Sequence, residues 1–423
     1  MNTASVPEPF GKALSQGMMS FLAVLTLALS PVDVVDLAGG LFPFSLTPFL
    51  LLSFLLVAIG LFGLPFLRTS RYAVRRALLD YWPLLGIALV ILVSVVFVNE
   101  DPEKLSLKRA LLTLWLVFFA VYLLRRLGLT FPDVFTTAAK VYLLLDALCI
   151  LLQIFIFYHR LVLPSSLMPF FDLRPGAVAG LPRLGGLVLD PNRAAIDLVL
   201  ILGLLYLMHR SRERRLHPGW LLLGVLLIIP TISRTGYVAA LLLLGSLWTV
   251  YARVKTWHVL IFLLGLAALV LLLPASLGEA SLFDKLQSAL STSKEREQST
   301  SIHFALLATG YELLFSEVKN FLVGVGWGTS YVYTEPFFPG NKYGNFHSGY
   351  ITVAATTGIF GFLFYLSYLL WPLLRRLPWW PLVIPLLWAN LFYEYTAEPL
   401  YWTILAVLNA SFLQRGFHWR GYA

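Results

Sequence analysis

Three polar clusters carry residue types suited to chemistry on an oxygen-rich, charged ligand. Ser233-Arg234-Thr235-Gly236 interrupts an otherwise apolar stretch from Trp220 to Tyr251. A guanidinium is permanently charged and its planar fork matches phosphate oxygens, so Arg234, with Ser233 and a small glycine beside it, reads as a phosphate site. Snorkelling of the same arginine to lipid headgroups is the plainer alternative. Asp190-Pro191-Asn192-Arg193 combines a capping carboxylate with a proline suited to the first helical turn. Asp197 follows Arg193 by one helical turn, so the pair fits either an ion pair between helices or a charge facing a ligand path. His347 stands in Gly344-Asn345-Phe346-His347-Ser348-Gly349-Tyr350. An imidazole tuned near neutral pH would serve there as a base or hydrogen-bond partner, or would simply rest on a backbone carbonyl.

The elements that must hold these clusters are hydrophobic. Hydrophobic residues make up 59% of the 423 and charged residues 13%, and mean hydropathy is +0.80. Soluble domains are roughly half apolar and a quarter charged. Helices of about 20 apolar residues bury such an excess in hydrocarbon, because each satisfies its own backbone hydrogen bonds. The alternating pattern of a transmembrane barrel is absent. The expected fold is therefore an all-α integral membrane protein, a single polytopic domain over 1–423. About twelve spans are expected, near 17–38, 46–66, 81–98, 109–124, 137–158, 192–208, 219–232, 235–252, 257–274, 348–374, 379–393 and 399–414.

Arginine and lysine collect on alternate connections: Arg68 to Arg76, Arg125 and Arg126, Arg210 to Arg215, Arg253 and Lys255, Arg375 and Arg376, Arg415 and Arg420. The positive-inside rule makes that face cytoplasmic, with both termini inside. Extracytoplasmic loops are then expected at 159–191 and, between the ninth and tenth spans, at 274–346, the latter partly helical over Asp284–Ser301. Long loops tend to carry function. His209, His217, His258 and His418 fall with the basic clusters, whereas His159, His303 and His347 lie outside. The first apolar run reads as a retained helix, since no cleavage-site pattern leads into soluble sequence.

The net charge of +9 is dispersed as topology signals and forms no aromatic-interleaved patch, so no nucleic-acid partner is expected. Cys149 is the sole cysteine and sits in an apolar run, which leaves it a small core residue. No metal-ligand spacing and no nucleotide-binding glycine pattern occurs, so no cofactor is expected.

Four stretches in order resemble one family: Gly-Gly-Leu-Val-Leu-Asp-Pro-Asn-Arg at 185–193, Thr-Ile-Ser-Arg-Thr-Gly at 231–236, Gly-Val-Gly-Trp-Gly at 324–328, and His347-Ser348-Gly349-Tyr350 leading into Gly358-Ile359-Phe360-Gly361. Over roughly residues 170–365 the order and spacing are similar to the O-antigen ligase/polymerase superfamily of bacterial membrane glycosyltransferases. The resemblance implies a metal-independent, inverting, GT-C-like enzyme in the bacterial cytoplasmic (inner) membrane, with its site facing the periplasm or outside. The donor would be a glycan on undecaprenyl diphosphate, and the acceptor a saccharide or lipid-linked glycan. Membrane lipids and a chain-length regulator protein are the other implied partners.

By the same resemblance Arg234 binds the diphosphate, His347 lies near the acceptor hydroxyl, and Pro191 and Asn192 form the proline–asparagine element. Two positions depart from the pattern: Ser348 stands where asparagine is usual, and His303 where a second arginine is usual, with Arg296 nearby. The residues support the chemistry on their own terms. A departing diphosphate gathers negative charge that fixed cations stabilise, and Arg234 helped by Arg193, Arg183 or Arg296 suits that task. Asp190, Asn192, Ser233, His303 and Tyr350 complete the expected binding set. Polymerisation of lipid-linked repeat units is the first expectation, and ligation of the glycan to lipid A core or another acceptor is the alternative. A transporter for the lipid-linked glycan is a lesser one, because the polar residues gather at one face and the halves look unrelated.

Overall fold

The computed structural model describes residues 10–32, 47–62, 71–159, 183–188, 190–212, 216–251, 294–339, 344–375, 379–410 and 413. Among them every regular element is helical. In chain order these are α1 (Phe10–Ala28), α2 (Pro48–Phe62), α3 (Arg71–Val96), α4 (Ser106–Leu127), α5 (Phe131–His159), α6 (Pro191–Ser211), α7 (Pro218–Ile228), α8 (Arg234–Tyr251), α9 (Lys294–Ser316), α10 (Val318–Val323), α11 (Ser330–Thr334), α12 (Gly349–Leu374), α13 (Val383–Phe392) and α14 (Pro399–Asn409).

Three segments are long and apolar enough to cross a membrane by length and composition: Ser106–His159, which takes α4 and α5 together across one 3-10 turn, then Pro191–Arg210 and Gly349–Leu374. Shorter apolar helices accompany them, among them Gly17–Ala28, Pro48–Ile59, Asp80–Val96 and Pro399–Asn409. The expected span at 257–274 lies outside the described residues, as does most of the loop at 159–191. In the second loop the expected polar helix differs in extent. Its first half is outside the described residues, and α9 runs on through an apolar stretch to Ser316.

α6 is the centre of the bundle. From Ala194 to Met208 it buries side chains around its whole circumference, as a helix apolar on every face must. α5, α7 and α8 pack around it, while α12 lies along α3. Gly236 explains the closeness of α8: a Cβ there would come 2.2 Å from the Cβ of Ala195 on α6. That glycine therefore serves helix packing.

At one end of the bundle the positive side chains make protein contacts. Arg375 pairs with the buried Asp80 at 2.7 Å, Arg212 with Asp133 and with the carbonyl of Leu129, and Arg125 lies over the Tyr81 ring. The starts of α6, α8, α12 and α14 all meet at the other end, joined by the bonds described below.

The Gly-Val-Gly-Trp-Gly segment is built into that second end. α12 is broken at Gly358, whose φ of 68° and ψ of −171° only glycine adopts readily. The carbonyls of Ala355 and Thr356 accept from the N–H groups of Val325 and Gly326, at 2.9 and 3.1 Å. A Cβ on Gly358 would meet the Leu322 backbone at 2.3 Å, and one on Gly324 the Thr356 carbonyl carbon at 2.2 Å. The buried Trp327 fixes the segment to the first bundle layer: its N–H donates to Ser94, its indole to Thr113, and its carbonyl accepts from Ser106. Gly358→Ala should therefore cost about 2–4 kcal/mol, from backbone strain and overpacking together. The expected reading is a lower thermal midpoint in detergent, and an unchanged midpoint would show that α12 does not need this break.

Candidate functional site

The site is assembled from the turn before α6 upward. α5 presents Asp146, Cys149 and Gln153 on one face, and these clamp the turn at Gly186. The Leu187 N–H donates to Asp146 at 2.9 Å, the Gly186 N–H to Gln153 at 3.1 Å, and the Gly186 carbonyl accepts from the Cys149 thiol and the Gln153 amide. Gly186 sits at φ 62°, and a Cβ there would strike the Asp146 carboxylate at 2.0 Å. So held, the chain delivers Arg183 and Leu184 to the turn between α7 and α8. The Leu184 N–H donates to the Pro230 carbonyl, and the Arg183 Nε to that of Thr231, at 3.2 Å.

Asp190 caps α6 as its sequence predicts, accepting from the N–H groups of Asn192 and Arg193 with Pro191 at the first helical position. The Asn192 amide accepts from Arg183 at 2.5 Å and donates to the Tyr393 hydroxyl at 2.8 Å. That hydroxyl donates in turn to the Asp190 carboxylate, 3.0 Å from each oxygen. The Tyr393 carbonyl accepts from Gly349 at the start of α12. Tyr393 thus ties the beginnings of α6 and α12 together. Sequence reasoning passed over it as the end of an apolar span. The signal was the polar run Tyr393-Glu394-Tyr395-Thr396 at the same end of the bundle as the other clusters.

His347 lies against this hub. Its ring centroid is 4.2 Å from that of His303, 6.2 Å from Phe338 and 6.4 Å from Tyr393. Its backbone is left-handed, with φ 53°, and its N–H donates to the Asn345 side chain at 2.8 Å. Burial, reinforced by His303 and opposed by Asp190, lowers the His347 pKa to about 4. Burial also lowers that of His303, again opposed by Asp190. Sequence alone suggested a base tuned near neutrality. The structure moves it toward acid, because the charged form loses its water.

The remaining expected residues divide. Arg234 opens α8 and is exposed, with no side-chain partner among the described residues. Arg193 pairs with Glu398 at 2.6 Å, both side chains largely buried, and so holds α14 against α6. Ser233 is buried and caps α8, accepting from the Gly236 N–H. The Tyr350 hydroxyl donates to the Leu387 carbonyl, and Ser348 caps α12. The Arg296 side chain lies outside the described residues. The structure thus brings Arg183, Asp190, Asn192, His303 and His347 together around Tyr393, with Arg234 on the turn that Arg183 braces. Among the described residues no group of three His, Cys, Asp or Glu side chains is placed to hold a metal ion.

Apolar helices, three segments of them long and apolar enough to cross a bilayer, with arginines and a histidine pair gathered at one end, describe a multi-pass membrane protein. Residues 219–366 match the family model described as O-antigen ligase. That match supports the O-antigen ligase/polymerase superfamily and covers three of the four motifs entirely, leaving out only the stretch at 185–193. No curated protein matches the chain.

Proposed function

We propose that this protein is a membrane glycosyltransferase that moves a glycan from a polyprenyl diphosphate, of the undecaprenyl class, onto an acceptor hydroxyl. The observation that carries this reading is the gathering of Arg183, Arg234 and a neutral His347 at one end of the bundle. In a single displacement the acceptor oxygen bonds to the anomeric carbon, and the bond from that carbon to the diphosphate breaks with its electron pair. Configuration inverts. The acceptor proton passes to the imidazole of His347, and the developing negative charge on the diphosphate faces Arg234, with Arg183 behind it. Asp190 and Asn192 hold Arg183 and Tyr393 in place.

Polymerisation of lipid-linked repeat units on the outer side of a bacterial cytoplasmic membrane is the primary form of this proposal, in a chain of about twelve crossings. Ligation to lipid A core or another acceptor is the second form, favoured by the description of the family matching 219–366. Purified protein supplied with lipid-linked glycan separates them: a size ladder marks the polymerase, single transfer to a core acceptor marks the ligase, and no transfer at all overturns the enzyme reading. Sidedness follows from the arginine distribution. A cysteine placed at the exposed Glu335, in a Cys149→Ala background, should react with an impermeant thiol reagent applied from outside. Reaction only after the cytoplasmic side is opened would reverse the topology.

A further inference from the structure

The base proposed above is badly placed to keep the proton it takes. His347 is the more deeply buried of the two histidines, and its cation is disfavoured on that account. Turnover requires that the proton leave. His303 is the nearest ring, 4.2 Å between centroids and tilted by 50°.

This proximity is built from two separate elements. On α9 the positions His303, Leu306, Gly310 and Leu314 recur at helical spacing on one face, with Leu306, Gly310 and Leu314 buried. A Cβ at Gly310 would lie 2.4 Å from the side chain of Ile351 and 3.0 Å from the ring of Phe346. The bare glycine lets α9 settle onto the segment that leads into α12. Two turns earlier on the same face, His303 is then carried over His347, the neighbour of Phe346. His347 meets it from a left-handed backbone fixed by Asn345, a conformation that histidine tolerates better than bulkier residues. The opposite side of α9 is open, with Phe304 exposed. Among the described residues the titratable and charged groups around the pair are Asp190 at the start of α6, Tyr393 after α13 and, beyond Tyr393, Arg183. Phe338, after α11, is uncharged.

Resting on the transferase reading, we propose that His303 acts through His347 as the proton's exit: it takes the acceptor proton from the His347 imidazole and releases it to water. The acceptor O–H bond breaks, its oxygen forms the glycosidic bond, and the electron pair of the broken anomeric bond leaves with the diphosphate. The proton moves to His347, then to His303, then to solvent. At this spacing two imidazolium ions repel, so the pair carries one proton at a time. Asp190 favours that single proton on either ring.

The test compares His303→Ala, His303→Gln and His347→Asn in proteoliposomes, measuring turnover with lipid-linked glycan and binding with a polyprenyl diphosphate. Both His303 variants should lose turnover by about tenfold to a hundredfold, less than the ~10²–10⁴-fold attributed to a base itself. Their polyprenyl diphosphate binding should stay within about twofold of the parent. Added imidazole should restore part of the turnover in His303→Ala, where there is room for it, and little in His303→Gln. Unchanged turnover and pH profile would reduce His303 to a packing residue. Weakened diphosphate binding with intact turnover at saturation would make it a donor ligand instead. Both results overturn the relay. Full activity in His347→Asn removes the base, and with it the transferase reading as drawn, whatever His303 does.

Discussion

Arg234→Ala loses glycan transfer by ~10²–10³-fold or more, the scale seen when a fixed stabiliser of developing negative charge is removed, while the folded protein is as stable as before or slightly more so. The second half of that expectation follows from where the arginine sits. It occupies the first position of α8, where the helix dipole is positive and a cation is disfavoured by about 0.3–1 kcal/mol. Among the described residues its side chain has no partner, so alanine breaks no bond there. Arg193, also at a helix start, shows the contrast, for Glu398 neutralises it. An unpaired cation on a helix start suits an anion supplied from outside the protein. The starts of α6 and α12 lie at the same end and add their own positive poles. Arg234→Lys should recover only a small part of the activity, because a point charge lacks the fork that grips two phosphate oxygens. Near-full transfer in the alanine variant, measured beside an unchanged unfolding midpoint, would remove Arg234 from the site.

The helices and their caps were legible in the sequence because both are local. The apolar runs placed α4, α6 to α8 and α12 to α14 within a few residues, whereas α3 and α5 begin earlier than expected, at Arg71 and Phe131, and the Asp190-Pro191 signature marks a true helix start. Arg193 and Arg234 stand at the starts of α6 and α8. What stayed hidden depends on distance through space. Gly324 and Gly358 look like independent turn glycines, yet each is required by the backbone of the other's segment. Tyr393 ties α6 to α12 from a position that periodicity assigns to the end of a span. The His303–His347 contact rests on Gly310, a helix-interior glycine whose value appears only when Ile351 and Phe346 are placed against it. Ser233 and Gly236 looked like ligand contacts because a hydroxyl and a glycine beside an arginine suit phosphate. The same residue types also start a helix and seat it on its neighbour, and that is the work they do here. No alternation or helical period reports such pairings. They are set by packing after the elements exist.

The most discriminating expectation concerns His347 and acid. The transferase reading needs a neutral imidazole, and burial lowers its pKa to about 4, with His303 adding to the shift and Asp190 opposing it. The sign is direct: a depressed histidine pKa keeps the base unprotonated over the whole range above it. Because kcat/KM reports groups in the free enzyme, its profile should be flat from about pH 8 to about pH 5 and fall only as pH approaches 4. A histidine with an ordinary pKa would instead lose activity through about pH 6.5. The same shift acts on stability. Between those two pH values the unfolded chain binds a proton that the folded chain refuses, so stability declines as pH falls below about 6.5. His347→Asn is the informative substitution, since asparagine accepts the left-handed backbone at φ 53° that alanine would strain. Transfer should drop by ~10²–10⁴-fold with polyprenyl diphosphate binding little changed. If His347 were a cationic diphosphate ligand, the profile would run the other way, with activity holding or rising in mild acid and donor binding weakening in the variant. A flat profile together with lost turnover and intact binding identifies the neutral base; intact turnover leaves only a buried histidine packed on His303.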